Sequence, residues 1–285
     1  MKLLIIIFAL AAAVKTDETL YFKNYHDDIG VPLAAKIKTR EESIDFDGSR
    51  ITGGNGVTLG THPHFGGLVI SLMDGRTSVC GSTLLSNTRA VTAAHCWWHG
   101  NVWANQFVVV YASTQLFSGG LRIRTSSVVV HANFNHNNLN NDVAVISFGW
   151  ISYTNWIEPA FLPINHGYHT FVGTWAWAVG FGATGDNDTI NNSQSLNEAS
   201  LQVIDSSECA RIYGTSVVTN SVLCVSGQGR SICNGDDGGP LWIWHINQRL
   251  LIGIASFTHE RGCQNNYPSG FVRVTSFVSW IQARL

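Results

Sequence analysis

Short apolar runs separated by Gly, Asn and Ser make up most of the chain after residue 50. Val, Ile and aromatic residues dominate these runs, and such residues bounded by turn formers are typical of β-strands. The clearest runs cover residues 67–72, 106–111, 127–130, 175–179, 241–244 and 250–254. Many short strands of this kind predict an all-β barrel or sandwich.

The pattern changes at the C-terminus, which is the only part whose sequence predicts a helix. Apolar residues recur there at a spacing of three to four from residue 276 onward, which places them on one helix face. They are Phe277, Trp280, Ile281 and Leu285. The sequence therefore predicts an all-β fold that closes with a C-terminal helix.

The N-terminus has the pattern of a secretory signal peptide over residues 1–14. Lys2 precedes an apolar run that is too short to cross a bilayer, for which about 20 residues are needed, and residues 11–13 are small. A buried N-terminal strand is the alternative. No later apolar stretch of the sequence is long enough for a membrane span, so we expect a secreted protein without a membrane partner.

Composition excludes some classes of protein and separates two parts of the chain. The 285 residues are 45% hydrophobic and 13% charged with a net charge of −2, which excludes a disordered chain and gives no support to a nucleic-acid binder. All five lysines lie within the first 38 residues, whereas residues 51–285 carry ten arginines and eleven acidic residues. The first fifty residues therefore read as a separate segment.

The cysteines and histidines favour disulfides over a metal site. Six cysteines lie after residue 50, at positions 80, 96, 209, 224, 233 and 263, and no CxxC pair occurs. An even number in a secreted chain indicates disulfides, but the sequence alone leaves fifteen pairings open. The pair His62 and His64 is interpreted as part of a surface loop rather than as a metal site. We expect no metal and no cofactor.

Four motifs in a fixed order point to a family. The chain carries RITGG at 50–54, TAAHC at 92–96, NDVAV at 141–145 and CNGDDGGP at 233–240. Together they resemble the motifs of chymotrypsin-like (trypsin superfamily) serine proteases over about residues 51–285, and insect digestive chymotrypsin- or elastase-like members most of all. The resemblance implies two six-stranded antiparallel β-barrels with a C-terminal helix and a cleft between the barrels. It also implies the disulfides Cys80–Cys96, Cys209–Cys224 and Cys233–Cys263.

The resemblance assigns catalytic roles to three positions. His95 matches the general base and Asp142 the buried carboxylate that orients it, while the backbone N–H groups of Gly235 and residue 237 match the oxyanion hole. The nucleophile is missing, because Asp237 stands where the family carries its serine. Neither Ser231 nor Ser256 matches a position from which His95 could accept its proton.

Three chemical reasons argue against an aspartate as a substitute nucleophile. Attack by a carboxylate on an amide would give an anhydride, its charge would repel the oxyanion, and it would hold His95 protonated. We therefore expect a catalytically inactive homologue that retains a cleft for peptides or protease inhibitors. The alternative is a working digestive endopeptidase that cleaves after apolar residues, with Asp237 as a sequence error, a deliberate change or an unexpected solution.

The resemblance also implies an activation site. Cleavage after Arg50 by a trypsin-like protease would free the amino group of Ile51 to pair with Asp236. This divides the chain into a signal peptide at 1–14, a propeptide at 15–50 and a protease-like domain at 51–285.

The substrate pocket is expected from four matching positions. Ser231 matches the base of the pocket, Thr258 the neck, Ser269 the far wall and Ser256 the wall of the cleft. Because no acidic residue stands at the base, the pocket is expected to favour modest apolar side chains. We further expect a monomer, secreted and suited to a gut lumen, with glycosylation sequons at Asn187 and Asn191.

Overall fold

The protein consists of an N-terminal helix followed by two β-barrel domains. The computed structural model describes residues 24–47, 57–167, 169–186 and 195–285. The strands of the first domain are β1 Phe65–Leu72, β2 Thr77–Ser86, β3 Arg89–Thr92, β4 Trp98–His99, β5 Val102–Tyr111, β6 Leu121–Thr125, β7 Ser127–Val130 and β8 Ala144–Ser147. Those of the second are β9 Trp175–Gly180, β10 Asn197–Ile204, β11 Val222–Val225, β12 Pro240–His245, β13 Gln248–Phe257 and β14 Ser269–Arg273. These elements confirm the all-β fold predicted from the sequence.

The two domains close differently. The second forms a closed barrel of six antiparallel strands in the order β10-β11-β14-β13-β12-β9, as expected. The first is an eight-stranded half-barrel in the order β4-β5-β1-β2-β3-β8-β7, with β6 paired to the edge of β5. Each domain buries its own apolar cluster, because inward-facing residues of successive strands meet on one side of the sheet.

The predicted C-terminal helix is present but short. Helix α3 covers Val278–Gln282 and follows a 3₁₀ turn at Val274–Ser276. Phe277 and Ile281 are buried in the core of the first domain, as their spacing predicts, whereas Leu285 is exposed.

Two further helices show that the expectation of a helix only at the C-terminus is wrong. Helix α1 covers Val31–Asp47 and follows a π-helical turn at His26–Gly30. Helix α2 covers Ser206–Tyr213, and its N-terminus is capped by the side chain of Asp205, which accepts from the N–H of Ser207.

Among the described residues, no helix is long and apolar enough to span a bilayer. The predicted signal peptide at 1–14, the cleavage site Arg50–Ile51 and the sequons at Asn187 and Asn191 lie outside those residues.

Candidate active site

His95 and Asp142 form a buried hydrogen-bonded pair in the first domain. His95 lies in a short 3₁₀ helix after β3, and its neighbour Cys96 is joined by a disulfide to Cys80 on β2. The Nδ1 atom of His95 lies 2.7 Å from Asp142 Oδ2, and the backbone N–H of His95 donates to Asp142 Oδ1 at 2.9 Å. The two contacts fix the imidazole ring so that its Nε2 atom points away from Asp142.

A third donor completes the environment of Asp142. The hydroxyl of Ser256, at the end of β13, donates to Asp142 Oδ2 at 2.6 Å. Asp142 is fully buried, and a buried carboxylate is tolerated only when hydrogen bonds satisfy it. The three donors therefore hold the orienting carboxylate in place from both domains.

Asp237 lies on the opposite side of the His95 ring. It belongs to the loop between Cys233 and β12, and its Oδ1 lies 3.6 Å from His95 Nε2. That separation is too long for a hydrogen bond but is within the range of an ion pair. Within the described part of the chain, His95 Nε2 is buried and has no hydrogen-bond partner. The imidazole is thus flanked by a carboxylate at each nitrogen.

The second oxygen of Asp237 accepts a backbone hydrogen bond. The N–H of Gly235 donates to Asp237 Oδ2 at 3.2 Å. Gly235 has a φ of +96° and Gly238 a φ of +77°, a region that favours glycine. A Cβ at Gly238 would also lie 2.2 Å from Thr92 Oγ1. The two glycines therefore allow the tight loop that aims the Asp237 side chain at both His95 and the Gly235 N–H.

The charges of this group are mutually dependent. Burial opposes a charge on His95, but the charge and hydrogen bond of Asp142 and the charge of Asp237 together raise the pKa of His95 above its usual value. Burial raises the pKa of Asp237 to about 6, although the positive charge of His95 acts to lower it. The charge of His95 and the charge of Asp237 depend on each other, so the two groups lose their protons in coupled steps. Near neutral pH this geometry favours an imidazolium between two carboxylates.

Comparisons with known proteins identify the family of the chain and its fold. A family model described as Trypsin matches residues 51–281. The chain is 35% identical over 236 residues to a collagenase of Hypoderma lineatum, covering 82% of this chain and 86% of the relative. It is 32% identical to the alkaline trypsin C of Manduca sexta, covering 84% of this chain and 92% of that protein. A solved structure of HL collagenase superposes with a TM-score of 0.73 at 34% identity, covering 82% of this chain and 98% of the other.

The chain belongs to the trypsin family. The two relatives named above are insect proteins, and the fold of the chain is the trypsin-like pair of β-barrel domains. The three disulfides that the resemblance implied are present as Cys80–Cys96, Cys209–Cys224 and Cys233–Cys263. Disulfides are typical of extracellular proteins.

The structure divides the trypsin-family pocket positions between two cavities. A cavity of about 310 Å³ is lined by Ser256 and Thr258 together with His95 and Asp237. Ser231 lines a separate cavity of about 770 Å³. The Ser231 hydroxyl lies 2.8 Å from that of Ser269, which is buried. The base and far wall of the expected pocket are thus in contact, but Ser231 does not line the cavity that holds His95.

Asp236, which is expected to serve as the activation aspartate, lies in the loop between Cys233 and β12. Its Oδ1 accepts from the N–H of Gly182 and its Oδ2 from the N–H of Cys233, each at 2.9 Å. Burial is the main cause that raises the pKa of Asp236 to about 7. The expected pairing with the amino group of Ile51 remains a prediction, because Arg50 and Ile51 lie outside the described residues.

The interpretation of His62 and His64 as an exposed loop is wrong. His62 is 5% exposed and His64 is fully buried, and the ring of Trp242 packs against both. In the described part of the chain, the only group of three possible metal ligands is Cys80, His95 and Cys96. The two cysteines are oxidised to a disulfide, so this group offers no thiolate to a metal.

Sequence reasoning missed Tyr25, which lies at the active site. Its ring centroid is 4.7 Å from that of His95, and it lines the same cavity as Asp237. The signal in the sequence is weak, since a lone aromatic residue outside the family motifs has no fixed partner. The apolar positions Leu33, Ala34 and Ile37 could have predicted helix α1, which begins six residues after Tyr25.

Proposed function

We propose that this protein is a secreted member of the trypsin family that does not hydrolyse peptides and that binds peptides or protease inhibitors in its cleft. The observation that carries the proposal is the position of the Asp237 carboxylate, 3.6 Å from His95 Nε2 and 3.2 Å from the Gly235 nitrogen. In a working protease of this family type, a neutral hydroxyl faces the base and the N–H is free to bind an oxyanion. Here one charged group occupies both places.

The chemistry of a carboxylate supports the loss of activity. An acyl–aspartate intermediate would be an anhydride, and the negative charge next to the Gly235 N–H would repel a developing oxyanion. The carboxylates of Asp142 and Asp237 raise the pKa of His95, which favours the protonated imidazole, and a protonated imidazole cannot accept a proton. Loss of the serine from a comparable triad costs ~10⁶ in turnover and leaves roughly 10³–10⁴ over the reaction in water.

A working digestive endopeptidase is the second candidate. The intact pair of His95 and Asp142, with the hydroxyl of Ser256 on its carboxylate, supports this alternative. Relatives named as a collagenase and an alkaline trypsin also belong to a class of active proteases. The preference would be for modest apolar side chains, because Ser231 and Thr258 bring no charge to the expected pocket.

Activation and location complete the proposal. We infer that a trypsin-like protease cleaves after Arg50, and that the Ile51 ammonium then pairs with Asp236 and lowers its pKa. A signal peptide at 1–14 and a domain free of lysine after residue 51 support secretion into an alkaline, protease-rich gut lumen. We expect the secreted domain to be a monomer.

The decisive experiment compares the native protein with the Asp237→Ser variant. Both are cleaved after Arg50, diluted and assayed with Suc-Ala-Ala-Pro-Phe p-nitroanilide. Asp237→Ser is expected to gain activity by several orders of magnitude, and Asp237→Ala serves as the matched control that removes the charge without supplying a hydroxyl. If the native protein is as active as Asp237→Ser, the proposal that it does not hydrolyse peptides is wrong, and the endopeptidase is favoured.

A further inference from the structure

The described residues upstream of the trypsin-family domain bury one of their sides against the rest of the protein. We call residues 24–43 the N-terminal segment; they precede the matched range 51–281. Its buried residues are Tyr25, His26, Gly30, Leu33, Ala34, Ile37 and Glu41. The residues on the other side of α1, among them Lys38 and Glu42, are exposed and form an i,i+4 ion pair. One side of the segment is therefore built to contact the domain.

The start of the segment covers the catalytic histidine. The ring of Tyr25 packs against His95, and its backbone N–H donates to His99 Nδ1 at 3.0 Å. The Tyr25 hydroxyl donates to the carbonyl of Val79 on β2 at 2.6 Å. Because its N–H and its hydroxyl both donate hydrogen bonds and its ring packs against His95, Tyr25 occupies a fitted, buried position.

The middle of the segment covers the Gly235 end of the active site. A Cβ built on Gly235 would lie 2.1 Å from Leu33 Cδ2, so the leucine side chain lies directly on this glycine. Leu33 and Ile37 are fully buried in a cluster that draws residues from both barrel domains, including Val79 and Phe181. Burial of such apolar side chains favours the docked segment. While the segment is docked, Leu33 covers the face of Gly235 on which it packs.

Polar contacts anchor the segment at both ends. The carboxylate of Glu41 accepts from the backbone N–H groups of Leu116 and Phe117 at 2.6 and 2.7 Å. At the other end, Asp27 forms an ion pair with Arg76 at 2.7 Å. Glu41 is 2% exposed, and a buried carboxylate with two fitted donors marks a specific contact.

We propose that the N-terminal segment is a built-in ligand of the cleft, which excludes other peptides for as long as it is docked. Its contacts reach His95, Gly235 and the loop at Leu116, so the surface it covers is the one that a bound peptide would need. The partner that this surface fits is an amphipathic helix led by a tyrosine and anchored by a glutamate. This goes beyond the proposed function, because it concerns binding and holds whether or not the chain hydrolyses peptides.

Cleavage after Arg50 would change how the segment is held without removing any of these contacts. All of them lie upstream of residue 44, and the first fifty residues contain no cysteine that could tether them. While the chain is intact, the segment has an effective concentration of about millimolar, as expected for a short connection. After cleavage it is an ordinary ligand that dilution can remove. The cleft is therefore expected to open by cleavage and dilution together.

The experiment measures whether a second copy of the segment can enter the cleft. A fluorescein-labelled synthetic peptide of residues 24–43 is titrated into the uncleaved full chain, native or carrying Tyr25→Ala and Leu33→Asp together. The native chain is expected to bind the peptide at least about 100-fold more weakly than the double variant, because its own segment competes. Lys38→Ala, on the exposed side of the same helix, is the matched control and should behave as the native chain does.

Hydrogen exchange shows whether the variant has released its segment while its barrels remain folded. The amides of Leu116 and Phe117, which donate to Glu41, should exchange faster in the double variant, whereas those of β12 and β13 should stay protected. Equal peptide binding by the native chain and the double variant would overturn the proposal. So would a released segment in folded barrels that bind no peptide, or amides at 116 and 117 that stay protected in the double variant.

Discussion

The two halves of the active site differ in how well their charges are satisfied. In the first domain, Asp142 receives donors from His95 and Ser256, and the pair has the geometry of a working base. In the second domain, Asp236 and Asp237 are adjacent carboxylates, the first partly buried and the second buried, and desolvation raises the pKa of both, to about 7 and about 6. The half that activates a nucleophile is thus intact, whereas the half that should supply one carries surplus negative charge.

This difference indicates where the proposed loss of activity would arise. The described structure gives Asp142 three donors, so the proposal places the loss at Asp237 rather than at the His95–Asp142 pair. The two oxygens of the Asp237 side chain face His95 and the Gly235 N–H. The comparison therefore predicts that restoring one hydroxyl restores the chemistry, and it can be tested from either half.

The largest expected effect is on kcat, when Asp142 is changed in a chain that already carries Asp237→Ser. In the Asp237→Ser background, Asp142→Asn should lower kcat by ~10⁴, because the amide holds the wrong tautomer of His95. Turnover of the p-nitroanilide substrate measures this, with thermal melting of both variants as a control for folding. A drop of less than tenfold would mean that the His95–Asp142 pair is not the working base.

The second prediction concerns the pH dependence of stability in the uncleaved chain. Asp236 keeps its proton up to a pKa of about 7 in the folded state, against 3.8 without the fold. At this carboxyl the folded state therefore binds more protons than the unfolded state between these values, so the contribution of Asp236 to stability falls as pH rises from about 4 to about 7. A difference of about three between two pKa values corresponds to ~4 kcal/mol.

Urea unfolding at several pH values measures that slope. Compared with the native chain, Asp236→Asn should shift the slope toward stability that rises with pH, whereas Asp205→Asn, which changes an exposed helix cap whose carboxyl pKa is lowered, should leave it unchanged above pH 5. His95 contributes in the same direction as Asp236, whereas the lowered pKa values of buried histidines such as His26 and His99 contribute in the opposite direction in every variant. The same slope in the native chain and in Asp236→Asn would contradict this account.

A smaller effect is expected from the hydroxyl that joins the two halves. Ser256→Ala removes a donor to a buried carboxylate and should cost about 1.5–3 kcal/mol of unfolding free energy. Ser269→Ala is the matched control, because it removes a hydrogen bond between two neutral hydroxyls and should cost about 1 kcal/mol. Equal losses in the two variants would show that Asp142 carries no charge in the folded protein.

The smallest expected effect is on the titration of His95 itself. Asp237→Asn removes a negative charge 3.6 Å from Nε2, so the pKa of His95 should fall, although the charge of Asp142 still holds it up. Proton NMR of the imidazole signals follows this titration. An unchanged pKa would show that Asp237 does not hold the imidazole protonated.

The strands and the disulfides were predictable because local sequence and family motifs determine them. Residues 67–72 and 106–111 became β1 and β5, since β-branched residues bounded by turns leave few alternatives. Helix α2 was missed although Asp205 and Glu208 have the spacing of a capping box and Gly214 ends the helix. The sequence therefore contains the signals that predict this helix.

Other features depend on partners that are distant in the chain. His62 and His64 are buried because Trp242, about 180 residues away, packs on both rings. Tyr25 reaches His95 across a separation of 70 residues, and its other partners, the carbonyl of Val79 and Nδ1 of His99, lie 54 and 74 residues away. No local pattern encodes such pairings, so the N-terminal segment could be placed only by its fold.

The central claim is that a single side chain separates this protein from a working protease, and a covalent probe tests it most directly. Diisopropyl fluorophosphate phosphorylates a serine only when a base activates the hydroxyl and the oxyanion site is free. After cleavage at Arg50 and dilution, intact mass measurement should show one adduct on Asp237→Ser and none on the native chain. An adduct on the native chain, or none on Asp237→Ser, would contradict the account.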